Sequence, residues 1–260
     1  MITADNWTDR RVIITAGASG IGLAIATTMR GLGAQVWICD VSETALDAAR
    51  AALPGIGAMV CDVSDPDACD AFVAAATGAM GGLDILVNNA GVAGPAAAVE
   101  DIATGDWTRC FDVNVHGQFY MARAAIPHLK QNATGSIVCM ASVAGRYAFG
   151  LRSPYAASKA AVIALARALS VELGPHQIRV NAIAPGVVAG DRIRRVFTDR
   201  ARTRGISYDE MAAVALRAVS MKTMVEPEEI AALVAYLTSN AGRPITGQVM
   251  QICGGLEYTE

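Results

Sequence analysis

The sequence predicts an α/β fold in a single domain over residues 1–260, and three observations carry that prediction. Short apolar runs alternate with helical stretches along the whole chain, with no linker between them. Residues 11–15 (R-V-I-I-T) read as a buried strand that runs into a glycine-rich turn and then an apolar helix. The composition is 53% hydrophobic with few aromatics, which suits helices packed closely on a sheet. A chain of 260 residues is long enough to bury a full core.

The turn after the first strand is A-G-A-S-G-I-G, residues 16–22, followed by L-A-I-A-T-T-M. A strand, a glycine turn and a helix N-terminus together form an anion site, because backbone N–H groups and the helix dipole point at a phosphate. Gly17, Ser19, Gly20, Ile21 and Gly22 are the candidate contacts. A tight βα turn without a ligand would use the same glycines.

The second strand, A-Q-V-W-I-C-D, ends at Asp40, eighteen residues after Gly22. A carboxylate there can accept hydrogen bonds from both hydroxyls of an adenosine ribose and would repel a 2′-phosphate. No Arg or Lys lies in the turn or directly after Asp40, so NAD is expected over NADP. The plainer alternative is an aspartate that merely caps a strand end.

Further along, C-D-V-S-D (61–65) sets Asp62 and Val63 just past a strand, where Asp62 suits an adenine amino group. D-I-L-V-N-N-A-G (84–91) reads as a buried strand ending in Asn89, Ala90 and Gly91, small enough to leave room for a cofactor. Asn114 sits inside an apolar helix, where its amide needs partners; it is either a structural bridge or part of a proton path. Ser142 closes the apolar run I-V-C-M-A-S.

Thirteen residues later, S-P-Y-A-A-S-K places Tyr155 and Lys159 on one helical face. An ammonium beside a phenol favours the phenolate, giving a proton donor or acceptor usable on an alcohol or ketone. Alone, this pattern also fits a surface pair on any amphipathic helix.

Composition excludes several classes. A net charge of −3 gives no case for nucleic-acid binding. No signal-peptide core and no apolar span of membrane length is visible, so a cytoplasmic protein is expected. The six cysteines lack C-x-x-C pairing and read as reduced core residues. The isolated His116, His128 and His176 make a metal site improbable.

Taken together, these motifs resemble the short-chain dehydrogenase/reductase family. The resemblance runs from about residue 8 to Gly255 and includes N-A-I-A-P-G (181–186) and I-T-G-Q (245–248). It implies a Rossmann-like, doubly wound parallel sheet with helices on both faces, and a tetrad of Asn114, Ser142, Tyr155 and Lys159. By resemblance, Tyr155 exchanges the substrate proton, Ser142 orients the substrate oxygen, Lys159 assists the tyrosine and binds the nicotinamide ribose, and Asn114 holds a relay water. Pro185, Gly186 and Val188 join the cofactor contacts. A homotetramer is the family expectation.

Three positions depart from the family pattern. Ala16 replaces the first glycine of the turn; alanine sits comfortably only at negative φ, and binding is expected to survive. Gly190 stands where a threonine commonly bonds the nicotinamide carboxamide, leaving that contact to the backbone of 187–190. Cys253 replaces a common aspartate, a change expected to affect packing.

The nucleotide half should span about 8–150 and the catalytic half about 151–260, with residues 188–224 as a helical cover over the pocket. Residues 191–217 carry seven arginines against four acids, in a chain that is acidic overall. With Arg152 and Arg192 as the foremost contacts, these arginines suggest a small anionic substrate, such as a hydroxy acid or sugar acid. The alternative is a solvated helical face with pairs such as Asp191 with Arg195. The expected activity is NAD-linked oxidation of a secondary alcohol or reduction of a ketone. The competing readings are a 3-oxoacyl-thioester reductase, a neutral alcohol or sugar dehydrogenase, and a non-enzymatic cofactor-binding sensor.

Overall fold

The computed structural model describes residues 7–132, 134–147 and 149–256, without the side chains of Arg192, Asp199, Arg200 and Thr203. Its strands are β1 (Arg11–Thr15), β2 (Gln35–Asp40), β3 (Gly57–Val60), β4 (Ile85–Asn88), β5 (Gly135–Met140), β6 (Ile178–Pro185) and β7 (Val249–Ile252). They form one sheet in the order β3-β2-β1-β4-β5-β6-β7, every pair parallel. The chain winds outward from β1 to β3, returns to the centre, and winds the other way from β4 to β7. The order reverses between β1 and β4, and in open α/β sheets ligands bind at such a reversal, outside the carboxyl ends of the strands. This is the doubly wound sheet that the motifs implied.

The helices are α1 (Gly20–Gly31), α2 (Glu43–Ala52), α3 (Pro66–Met80), α4 (Thr104–Phe111), α5 (Gly117–Leu129), α6 (Ser153–Leu173), α7 (Asp191–Arg204), α8 (Tyr208–Leu216) and α9 (Pro227–Thr238). They cover both faces because successive strand residues point to opposite sides. Ile13, Ile137 and Cys139 pack under α3, α5 and α6 with Phe72, Met121 and Val162. Val12, Ile14, Val138 and Met140 pack under α1, α2 and α9 with Ile25, Leu46 and Ile230. Ile13 and Ile14 are fully buried, and truncating such a side chain to alanine costs about 2–5 kcal/mol. All six cysteines are free and buried.

Local signals set the helix ends. Ser42 Oγ accepts from the Ala45 amide at the start of α2. α3 begins with Asp65 as cap and Pro66 in its first turn, and it ends at Gly81 with φ 72°. Ser207 and Glu210 cap α8 reciprocally.

The segment after β6 leaves the sheet and returns to it. Val188 bridges Val225 in parallel, and the Val225 amide donates to the Val187 carbonyl at 2.8 Å. Between these points α7 and α8 bury Phe197, Ala201 and Met211 against each other, apart from the two main cores. Arg192 falls in α7, but its side chain lies outside the described residues. The Asp191–Arg195 pair named for the solvated-face alternative takes another form, a bond from Arg195 Nε to the Asp191 carbonyl oxygen at 3.4 Å. An (i, i+4) arginine can reach the backbone as readily as the carboxylate. No helix among the described residues is long and apolar enough to cross a membrane.

Candidate active site

The glycine turn joins β1 to α1. A Cβ on Gly17 would stand 2.5 Å from Ile38 Cγ2, and one on Gly22 would stand 2.1 Å from the Ala16 carbonyl oxygen. Both positions therefore require glycine for close packing. Gly20 differs: its φ is +50° and a Cβ there would meet nothing within 4 Å. Ser19 caps α1 in an extended conformation without bonding the helix through its side chain. The first amides of α1 thus take no bond from their cap side chain, and the space beside Gly20 is open, features that suit an anionic diphosphate.

Ala16 adopts φ 49°, not the negative φ that an alanine prefers. The turn keeps the left-handed conformation of a glycine because its carbonyls are pinned. Asn89 Nδ2 donates to the Thr15 carbonyl at 3.0 Å and to the Ala16 carbonyl at 3.2 Å. Thr15 Oγ1 in turn accepts from the Asn89 and Ala90 amides, both at 2.9 Å. Left-handed backbone in a residue with a Cβ costs about 1–2 kcal/mol. Asn89, expected as a cofactor contact, is also the brace that holds this turn.

Asp40 closes β2, and one of its oxygens accepts from the Ser42 amide at 3.2 Å. The residue that follows is Val41, largely exposed and uncharged. Asp62 lies past β3 with both oxygens already used. Oδ1 accepts from the Ser64 amide at 2.9 Å and the Ser64 hydroxyl at 2.7 Å, and Oδ2 from Arg109 at 3.2 Å. Burial pushes its carboxyl up, but the Ser64 bonds and the Arg109 guanidinium outweigh this and hold it below the usual range. An adenine amino group at Asp62 would share that carboxylate with Arg109, a partner the sequence did not suggest.

Asn114 sits in Asp112–His116, where the helix between α4 and α5 widens to π geometry. Such single-turn bulges recur at functional sites. The side chain is fully buried. Its Oδ1 accepts from the Val92 amide at 2.7 Å, while Nδ2 donates to the Val92 carbonyl at 3.0 Å and to Ser158 Oγ at 2.9 Å. The structural-bridge alternative thus describes the side chain of Asn114.

The other three members of the expected tetrad come from β5 and α6. Ser142 is buried just past β5, and its Oγ accepts from the Ala144 amide at 3.2 Å. Tyr155 is half-buried in the first turn of α6. Lys159 is buried one turn later, and its Nζ donates to the Met140 carbonyl at 2.8 Å. That ammonium lies 5.8 Å from the Tyr155 ring centroid. A Cβ on Gly91 would meet Asn114 Oδ1 at 3.1 Å and Lys159 Nζ at 3.2 Å, so the end of β4, the π segment and α6 converge on one point.

Three supporting residues escaped the sequence reading. Ser158 Oγ donates to the Tyr155 carbonyl at 2.8 Å while accepting from Asn114. Gly145 packs directly on α6, where a Cβ would stand 2.6 Å from the Lys159 carbonyl carbon. Gly117 lies against Val63, whose Cγ2 would stand 2.7 Å from an added Cβ. The S in Y-A-A-S-K is a usable sequence signal; nothing in the sequence marks Gly145 or Gly117.

Past β6, Gly186 donates its amide to the Ile252 carbonyl at 2.9 Å, and a Cβ on it would stand 2.8 Å from Cys253 Cβ. Cys253 is buried in packing contact, as expected. Gly190 has φ +133° and open space around it, with no side chain capping α7. Arg152 is half-buried. Its guanidinium lies 5.1 Å from the Tyr155 ring centroid and donates to the Ala93 carbonyl at 2.9 Å. No cluster of metal-ligating side chains occurs among the described residues.

A parallel doubly wound sheet with a glycine cradle at its first βα turn and a Ser-Tyr-Lys group at its carboxyl end defines the class of nicotinamide-linked oxidoreductases. The chain belongs to the short-chain dehydrogenase/reductase family: a family model described as enoyl-(acyl carrier protein) reductase matches residues 15–257. Dehydrogenase/reductase SDR family member 4 of Oryctolagus cuniculus is 32% identical over 255 residues, covering 96% of this chain and 95% of that protein. Among solved structures, NAD⁺-bound xylitol dehydrogenase aligns with TM-score 0.90 at 29% identity, covering 96% of this chain and all of the other. A variant of actinorhodin polyketide ketoreductase with NADPH aligns with TM-score 0.90 at 31% identity, covering 96% and 98%. Structural neighbours thus include both NAD⁺ and NADPH complexes.

Proposed function

We propose that this oxidoreductase transfers a hydride between NAD and a small polar secondary alcohol or ketone. The observation that carries the NAD assignment is Asp40, at the end of β2 with uncharged Val41 after it. A 2′-phosphate would meet a carboxylate there, with no adjacent cation to offset it.

The residues fit a dinucleotide. Gly17, Ser19, Gly20, Ile21 and Gly22 would hold the pyrophosphate, Asp40 the adenosine ribose, and Asp62 with Val63 the adenine. Asn89, Ala90, Gly91, Pro185, Gly186 and Val188 would line the nicotinamide end. When bound, the cofactor supplies or accepts the hydride. Tyr155 exchanges the proton with the substrate oxygen, and Ser142 orients that oxygen. The Lys159 ammonium, fixed by the Met140 carbonyl, would bind the nicotinamide ribose one helical turn from Tyr155. Asn114 positions α6 through Ser158, with its relay-water role resting on the family pattern. The 188–224 segment would close over the substrate. A homotetramer in the cytoplasm accords with the family pattern.

The substrate class rests on Arg152 beside Tyr155 and on the arginine excess of residues 191–217. Both favour an anion such as a hydroxy acid. A second reading, a neutral polyol, is supported by the bond from Arg152 to the Ala93 carbonyl, which commits part of the guanidinium, and by the likeness to a xylitol dehydrogenase. Matched anionic and neutral secondary alcohols, assayed with wild type and Arg152→Met, separate the two. A clamp predicts a roughly tenfold or greater loss of kcat/KM on the anionic set alone, about 1.4 kcal/mol. Equal loss on both sets assigns Arg152 to holding Tyr155 and leaves the neutral reading.

A further inference from the structure

The opposite end of the sheet, where the strands begin, carries a second polar cavity remote from the tetrad. Arg10 precedes β1, Ser136 is second in β5, Arg179 is second in β6, and Arg243 follows α9. These residues, with Thr134 and Asn240, line one cavity of about 30 Å³ measured by the centres of water-sized molecules. That is room for one small ion or a few waters. Its rim is open, since Thr134, Asn240 and Arg243 are exposed.

Two features of the cavity call for a ligand. The first is an excess of positive charge: three arginines line the cavity with one carboxylate, Asp84, which is already paired with Arg11 at 2.8 Å. Among the described residues, no ion pair involves Arg10, Arg179 or Arg243. Arg179 bonds only carbonyls that end α9, those of Leu237, Ser239 and Gly242. Its burial and the neighbouring Arg10 charge both lower its pKa, so the two guanidiniums repel across the cavity. The second feature is Ser136. Its hydroxyl oxygen is buried, with the residue only 2% exposed, yet it has no hydrogen-bond partner. A buried hydroxyl that lines a cavity normally bonds something inside it.

We propose that this cavity binds a small inorganic oxyanion of the phosphate or sulfate type. The oxyanion accepts from Ser136 Oγ at its floor and from the guanidiniums of Arg10, Arg179 and Arg243 around it. Planar guanidinium forks match tetrahedral oxyanions, and the charge relieves the repulsion among the arginines. The occupied site ties the starts of β1, β5 and β6 to the end of α9. It is separate from the diphosphate cradle at α1, which lies at the carboxyl end of the sheet.

The test is the thermal unfolding midpoint of the full chain against inorganic phosphate at constant ionic strength. Wild type, Arg10→Met/Arg243→Met and Ser136→Ala are compared, with chloride run in parallel. Both arginines lie at the rim, so folding should persist. The proposal predicts a saturable rise in wild type that the double variant loses, a several-fold higher half-saturating phosphate concentration in Ser136→Ala, and no saturable rise with chloride. Phosphate held at the N-terminus of α1 would stabilise all three proteins alike. No rise in wild type, an equal rise in the double variant, or an equal response to chloride would overturn the proposal.

Discussion

Asn114 and Tyr155 are joined through one hydroxyl: Asn114 Nδ2 donates to Ser158 Oγ at 2.9 Å, and Ser158 Oγ donates to the Tyr155 carbonyl at 2.8 Å. Asn114 also clamps Val92 by its amide and its carbonyl. One buried side chain therefore locks the end of β4, the π segment and the first turn of α6 together. Replacing it with leucine leaves buried backbone groups of Val92 without partners, at about 1–3 kcal/mol for each group. Urea unfolding of Asn114→Leu should show that loss. Ser158→Ala should lose less stability, because Asn114 keeps both Val92 bonds. An unchanged unfolding midpoint in Asn114→Leu would contradict the bridge.

Gly145 sets the distance between Ser142 and Lys159. The short helical turn Val143–Gly145 lies flat on the backbone of α6, and a Cβ would overlap the Lys159 carbonyl carbon at 2.6 Å. Gly145→Ala must push the Ser142 loop away from α6. Misplacement by about 1 Å can cost on the order of 100-fold in rate. Steady-state kinetics should show that loss in kcat, with dissociation constants for the cofactor little changed. Wild-type turnover in Gly145→Ala would remove the role.

Ala16 carries strain that glycine would relieve. Its φ of 49° penalises any residue with a Cβ. Ala16→Gly should raise stability by roughly 1 kcal/mol, reduced by the larger freedom of glycine in the unfolded chain. Denaturant unfolding measures the change. A drop in stability would show that contacts of the alanine methyl outweigh the backbone term.

Much of the fold was readable because the short apolar runs map directly onto β1, β2 and β4, and the glycine turn onto the connection after β1. The long helix through Tyr155 and Lys159 likewise followed from its spacing. The φ of Ala16 was not readable, because it is imposed by Asn89 from a distant strand end. Arg109 on Asp62 escaped for the same reason: its partner lies 47 positions away. Gly117 and Gly145 matter through close approach of backbones, a property of packing with no local sequence signature. The Asn114 alternatives were both visible in the sequence, and only the three-dimensional neighbours Val92 and Ser158 describe the bridge.

Asp40 should govern the choice of cofactor. Asp40→Asn removes the charge that would meet a 2′-phosphate but keeps an acceptor for the Ser42 amide. The ratio of kcat/KM for NAD⁺ to that for NADP⁺ should fall by at least about tenfold, equivalent to 1.4 kcal/mol. The change should come chiefly from better use of NADP⁺. A ratio unaffected by the substitution would place selection elsewhere.

The most direct test of the central claim is hydride transfer by wild type and Tyr155→Phe, followed by nicotinamide absorbance, with cofactor affinity measured in parallel. A phenol that exchanges the proton predicts a loss of about 10²–10⁴-fold in turnover, with the NAD⁺ dissociation constant nearly unchanged. Turnover by Tyr155→Phe at the wild-type rate would contradict the account.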